Sequence, residues 1–153
     1  MALEYKIVPE KIHLNQILFI KDVENILDKK LSKRPVYDLV LAHNTMHNLE
    51  KEFMKIRLFI ELFAELDGEK LEQNVSYEFD FFFHIENMND HYRLEDGVPT
   101  FRGELISTLL AICYSTTRGI LLMKWQHSVF QDIILPVTNI PNLMNSRRPI
   151  TTE

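Results

Sequence analysis

The stretch FRGELISTLLAICYSTTRGILLMKWQ, Phe101 to Gln126, decides how the chain can fold. It is the long segment with helical spacing. Leu105, Leu109, Ile112, Thr116, Ile120 and Met123 form one row, and Ile106, Leu110, Cys113, Thr117 and Leu121 form a second. With Ala111 and Leu122 beyond them, apolar surface wraps most of the circumference, whereas a helix lying on a globule needs a single stripe. Burying about ten such side chains contributes on the order of 15–30 kcal/mol before entropy is subtracted. In a chain of 153 residues the remainder supplies a single sheet to cover the helix, so the rest of its apolar surface calls for a second subunit. The expected interface residues are Leu105, Leu109, Ile112, Thr116 and Ile120.

Outward from the helix, Pro99-Thr100 marks its start, with Thr100 read as the N-cap. Before it, Asn87 to Gly97 (NMNDHYRLEDG) reads as a polar loop. Two strands precede the loop. In Phe53–Leu66 the alternation is clean: Met54, Ile56, Leu58, Ile60, Leu62, Ala64 and Leu66 share one face, and Arg57, Phe59, Glu61, Phe63 and Glu65 the other. Asp67-Gly68 then signals a tight hairpin. From Val75 to Ile85 the odd positions Tyr77, Phe79, Phe81, Phe83 and Ile85 face the core, while Glu78, Asp80, Phe82, His84 and Glu86 face away.

Further upstream, Val36–His43 reads as a strand and NTMHNLEK as the turn after it. Glu10 to Ile20 reads as a first strand with an irregularity near Gln16. Lys21 to Arg34 is charge-rich and is expected to form a crossing connection with a turn or two of helix, ended by Pro35. After the long helix, Ser128 to Ile140 is an extended apolar return broken by Pro136 and Pro141. The expected architecture is α+β: a four-stranded antiparallel sheet with one long helix packed on one face. It forms a single domain over 1–153, with 1–9 and 145–153 as frayed tails.

Composition narrows the function classes. With 46% apolar and 25% charged residues the chain is not disordered. A net charge of −5 disfavours a nucleic-acid partner, because a phosphate backbone rewards a basic surface. The single cysteine rules out a disulfide framework and fits a reducing compartment. The N-terminus lacks the basic and apolar regions of a signal peptide, and no uninterrupted apolar run reaches a membrane-spanning length. A cytoplasmic location without membrane insertion is expected.

Catalytic motifs are missing. The four glycines are not clustered, so neither a dinucleotide fingerprint nor a P-loop is present. Cys113 lies in an apolar row, where a thiolate is disfavoured. His43 and His47 have i, i+4 spacing, but Asn44 stands where a zincin needs Glu, and the segment reads as a strand end. His84, Glu86, Asp90 and His91 are ligand-type residues at a solvated strand end. The expectation is therefore no cofactor, no metal and no enzymatic activity. The aromatic run FDFFFH, Phe79 to His84, places Phe82 on the outer face, and Phe59 and Phe63 sit there too. That face is mixed aromatic and acidic, fitting either an interaction surface or cross-strand pairing.

The order of these elements resembles the SecB family of export chaperones. PVYDLVLAHNTMHNLEKEFMKIRLFIELFAELDG, from Pro35, is similar to the family's second and third strands, and NVSYEFDFFFHIE to its fourth. STTRGILLMKWQHSVFQDIILPV resembles its helix and the loop leading to an Ala/Leu-Pro-Val turn, here Leu135-Pro136-Val137. NIPNLM resembles the start of its second helix. The resemblance implies a dimer of dimers whose long helices meet, and an ATP-independent holdase that passes unfolded preproteins to the motor SecA. Clients would lie in apolar grooves, which map onto Phe19, Ile26, Leu27, Trp125, Phe130, Ile133, Ile134 and Leu143. The acidic surface for the motor would map onto Glu78.

The sequence also departs from the family. Pro141 sits inside the second helix, no Cys or His follows His127 to form the zinc-assisted tail, and Ser76 replaces an apolar residue near Glu78. Some relatives instead shield an antitoxin or another dedicated client. Three readings stand at this point: a general or dedicated chaperone, an enzyme using His84, Asp90 and His91, and an assembly module without a client.

Overall fold

The structure is a computed structural model and describes residues 6–27 and 31–147. Four strands form one antiparallel sheet: β1 (Ile12–Asn25), β2 (Val36–Asn48), β3 (Phe53–Leu66) and β4 (Glu69–Ile85), in the order β1-β4-β3-β2. β1 and β2 are consecutive in sequence yet lie on opposite edges, so the connection between them crosses the end of the sheet. A short hairpin follows, β5 (Tyr92–Glu95) and β6 (Val98–Phe101), then the long helix α1 (Gly103–Lys124) and the short helix α2 (Ile140–Met144). α1 packs on one face of the sheet, as the fold class anticipated.

Alternation builds the core. Met54, Ile56, Leu58, Ile60, Leu62 and Ala64 of β3 are buried, as are Val75, Tyr77, Phe79, Phe81, Phe83 and Ile85 of β4. They pack with Leu105, Leu109, Leu110, Cys113, Tyr114 and Leu121 of α1 in one cluster. Each large side chain so buried contributes about 1.5–3 kcal/mol. The hairpin joining β3 and β4 turns at Asp67-Gly68, with φ of 51° and 80°, the left-handed pair of a type I′ turn.

Several expectations are corrected. β1 does not stop at Ile20; it continues to Asn25, with register shifts at Leu14/Gln16 and Phe19/Lys21. No helix follows among the described residues of the connection, and 28–30 lie outside them. Asp22 and Glu24, expected within the crossing connection, are edge-strand residues that reach Lys124 of α1 at 3.0 and 3.5 Å. β2 runs on through His47 to Asn48, so the turn falls at 49–52. The segment read as a polar loop contains a 3-10 turn, Met88–His91, and the β5–β6 hairpin around Asp96-Gly97, whose φ angles are 52° and 79°. Thr100 is a β6 residue bonded to Glu95 at 3.3 Å; the helix N-cap is Arg102, without a side-chain cap bond. Of the expected tails, 1–5 and 148–153 lie outside the described residues, while Pro9–Lys11 form a 3-10 turn and Ser146 and Arg147 are fixed against β2.

By length and composition α1 is apolar enough to cross a membrane, with a mean hydropathy of 1.5 over its best window. A core helix passes the same test, and α1 is the core helix here.

Candidate functional site

The residues proposed as a helix interface divide between two environments. Leu105 and Leu109 are fully buried against the chain's own sheet and belong to the subunit core. Ile112, Thr116 and Ile120 are half-buried on the flank of α1. Leu122 and Met123 beside them are exposed. The surface that α1 leaves uncovered is therefore narrower than its sequence rows and shifted toward the C-terminal half.

The eight candidate client-binding residues do not line one groove within the subunit. Trp125, Phe130 and Leu143 are buried. The Trp125 indole N–H donates to the Tyr77 hydroxyl at 2.9 Å, and Phe130 meets Trp125 at a tilt and Tyr37 edge-on, each at a centroid spacing of 6.0 Å. The exposed members are Phe19 at 39%, Ile26 at 50% and Ile134 at 69%. Leu27 and Ile133 are half-buried.

Four separate depressions hold these residues, except Phe130, which is fully buried and lines none of them. One of about 270 Å³ lies between α1 and the return, and it gathers Trp125, Ile133 and Ile134 against Arg118 and Leu122. A second, about 380 Å³, places Phe19 beside Ile17, Phe79 and Ile120. A third gathers Ile26 and Leu27 with Glu24 and Asn74 and is mostly polar. The fourth holds Leu143 against Leu39 and Leu41 of β2. The return is fixed where it passes α1: Arg118 Nε donates to Leu135 O at 3.0 Å, and the Tyr114 hydroxyl donates to Pro136 O.

A polar hub under the C-terminal end of α1 organises the first two depressions. Tyr77, fully buried, donates to Glu24 Oε1 at 2.6 Å while accepting from Trp125. Burial, followed by the Glu24 carboxylate, raises the Tyr77 pKa well above the ordinary phenol range, so it stays a neutral donor. Lys124 bridges Asp22 and Glu24, and its ammonium lies 5.7 Å from the Phe19 ring centroid. Beside it, Gln73 joins the Tyr37 hydroxyl at 2.6 Å to the Leu27 backbone N–H at 3.3 Å, tying β2 to the crossing connection. Sequence reasoning missed the hub because its members lie on β1, β4 and α1 and share no spacing.

Glu78 is half-buried on the outer face. Its cross-strand neighbours are Lys21 on β1 and Phe59 on β3. Next to it Asp80 is buried in a bidentate pair with Arg57, at 2.7 and 2.8 Å, with Lys55 at 3.8 Å. The face around Glu78 thus carries cations and anions in balance.

The ligand-type residues stay apart. On a strand His43 and His47 lie about 13 Å from one another along the chain, and among the described residues no group of three or more His, Cys, Asp or Glu side chains is gathered. His91 is buried and accepts from Asn87 Nδ2 at 3.2 Å, whereas His84 stacks on His13. Burial pushes the Cys113 thiol well above its usual range, leaving it inert at neutral pH.

A further apolar surface was not singled out from the sequence. Leu14, Leu18, Ile20 and Val23 along β1 are exposed, as are Val36 and Val40 on β2. The uninterrupted Ile17-Leu18-Phe19-Ile20 was the available signal, since a strand with one buried face alternates.

No protein-family model matches the chain, and no curated protein sequence matches it. Among solved structures it is similar to a Mycobacterium tuberculosis SecB-like chaperone in complex with a ChAD peptide from the HigA1 antitoxin. The TM-score is 0.61 at 14% identity, over 92% of this chain and 94% of that chain. The four-stranded antiparallel sheet with one long helix is thus matched, and the chain has a SecB-like fold.

Proposed function

We propose that this chain is a non-enzymatic, nucleotide-independent chaperone that binds an extended segment of a non-native polypeptide, and that its client is dedicated rather than general. The carrying observation is exposed apolar surface: Phe19 and Ile26 on β1 and the connection after it, Val129, Ile134 and Val137 on the return after α1. Side chains of that size gain free energy from leaving water, so a protein that keeps them in two bands has something to cover them. The SecB-like neighbour in complex with an antitoxin peptide supports a peptide as that cover. The dedicated reading also draws on the outer face, where Lys21, Lys55 and Arg57 offset Glu78 and Asp80 and leave little for a SecA-type motor to recognise. Export is accordingly the weaker part of the resemblance.

In this reading the protein works in the cytoplasm as a homo-oligomer, with the β1 edge and the Ile112–Thr116–Ile120 flank of α1 as contact surfaces. A dimer of dimers would use both. Its net charge of −5 suits neither nucleic acid nor an anionic membrane.

The test is light scattering of a chemically unfolded substrate, mixed with the purified protein without nucleotide, beside the native mass. For a dedicated chaperone, general substrates continue to aggregate while a cognate segment is captured as a soluble complex. Suppression of every substrate would instead establish a general holdase. Replacing Ile26 and Ile134 by Ser should weaken capture at least tenfold and leave the fold intact, because these side chains are 50% and 69% exposed. Unchanged capture would remove these two bands from the binding surface.

A further inference from the structure

Beyond the packing of Leu143 on β2, the C-terminal end of the described chain is hydrogen-bonded to the sheet at a histidine. His43 lies within β2, an edge strand. Its backbone N–H donates to Ser146 O at 3.0 Å, and it pairs with Arg147 in a parallel bridge. Its ring Nε2 lies 2.9 Å from the carbonyl oxygen of Met144. A carbonyl only accepts, so Nε2 carries the hydrogen and Nδ1 is a bare lone pair. Nδ1 is buried without a hydrogen-bond partner, and the residue is 1% exposed.

Among the described residues no acceptor is bonded to Nδ1, and no carboxylate acts on the ring. On β3 the residues sharing its face, Ile56, Leu58 and Ile60, are apolar. α2 carries no acidic residue in its first turn and no basic residue in its last. Along β2 the next titratable side chain on that face is His47, which is exposed and lies against Phe101. α1 meets this corner at Gly103, beside Met144, and the flanking charges Arg102 and Glu104 are exposed. The charged group acting on the ring is Arg147, a cation.

We propose that His43 is an acid-sensitive latch: neutral, it fastens Met144–Arg147 along the edge of β2; protonated, it releases that segment. A charged imidazole needs water or an acceptor at Nδ1, and water reaches that atom only when the segment lifts. Burial lowers the pKa of His43; the Met144 carbonyl opposes this, and Arg147 adds to it. Because the folded value is depressed, the latch contributes fully above the unfolded value near 6.5 and weakens as pH falls below it. Release uncovers Leu143 and opens the depression between Leu39, Leu41, Thr138 and Asn142. It also frees the outward backbone of β2, an edge that another strand can pair with. The inference concerns the chain's own segment and stands whether or not the protein carries a client.

Amide hydrogen exchange of the full chain at pH 7.5 and 5.5, corrected for intrinsic rates, tests it. In the wild type the His43, Asn145 and Ser146 amides should lose protection at the lower pH while Phe81 keeps its own. His43→Gln retains a donor for Met144 and does not titrate, so its protection at these amides should be the same at both pH values. Equal wild-type protection at both pH values, or the same acid loss in His43→Gln, overturns the latch. Should that variant fail to fold, an NMR titration of the wild-type ring decides. A midpoint below 6.5 that coincides with loss of the His43 amide supports the latch, and a midpoint at or above 6.5, or one that does not coincide with that loss, overturns it.

Discussion

Strands β1 and β4 lie side by side, and they have opposite fates. β4 buries Val75, Tyr77, Phe79, Phe81, Phe83 and Ile85. β1 is paired to it through twelve of its fourteen residues and has no fully buried position. The difference is one of place. β4 has a strand on each side and the helix above, so alternation alone puts half its side chains in the core. β1 has a neighbour on one side and the helix's flank above it, so Leu14, Leu18, Phe19, Ile20 and Val23 remain exposed although they are as apolar as those of β4. Apolar character tells what a position prefers, and topology tells whether this chain satisfies it. Where the chain does not, the satisfaction has to come from another molecule.

Substitutions sharpen that contrast. Phe81→Ala, at the centre of β4, should lower unfolding free energy by about 3–5 kcal/mol in a denaturant titration; a loss under 1 kcal/mol would mean that the central sheet is not the core. Asp80→Ala should come next, at about 3 kcal/mol, because it leaves Arg57 with neither of its bonds on a largely covered face. Tyr77→Phe removes the link from β4 to Glu24 of β1 and to Trp125. About 1–2 kcal/mol is expected, and an effect near zero would uncouple the two strands at that point. Leu18→Ser, on the outer side of β1, should change subunit stability by no more than about 0.5 kcal/mol. A larger effect that grows with protein concentration would show that a second copy covers β1.

The sequence was most legible where local and global requirements coincide. Phe53–Leu66 matches β3 residue for residue, since a central strand must alternate and Asp67-Gly68 must turn. It was least legible where solvent relaxes those requirements. Asp22, Glu24 and Asn25 resembled a helical connection because an edge strand tolerates charge on both faces. The β5–β6 hairpin was passed over although Asp96-Gly97 repeats the Asp67-Gly68 signal, because strands of four residues hold too few apolar positions to show a period. At the candidate site Phe19 and Ile134 are apolar residues that are left exposed. Trp125, Phe130 and Leu143 are not, since exposure depends on the path of the return past α1, and that path is set by bonds from Arg118 and Tyr114 to backbone carbonyls.

The chain has one tryptophan. Its indole sits where β4, the end of α1 and the return converge, and its N–H is held by a phenol that also grips β1. Emission from that ring is therefore an intrinsic gauge of the junction between the two apolar bands. A red shift reports water entering there, and a client that prises the return from α1 would announce itself without any label.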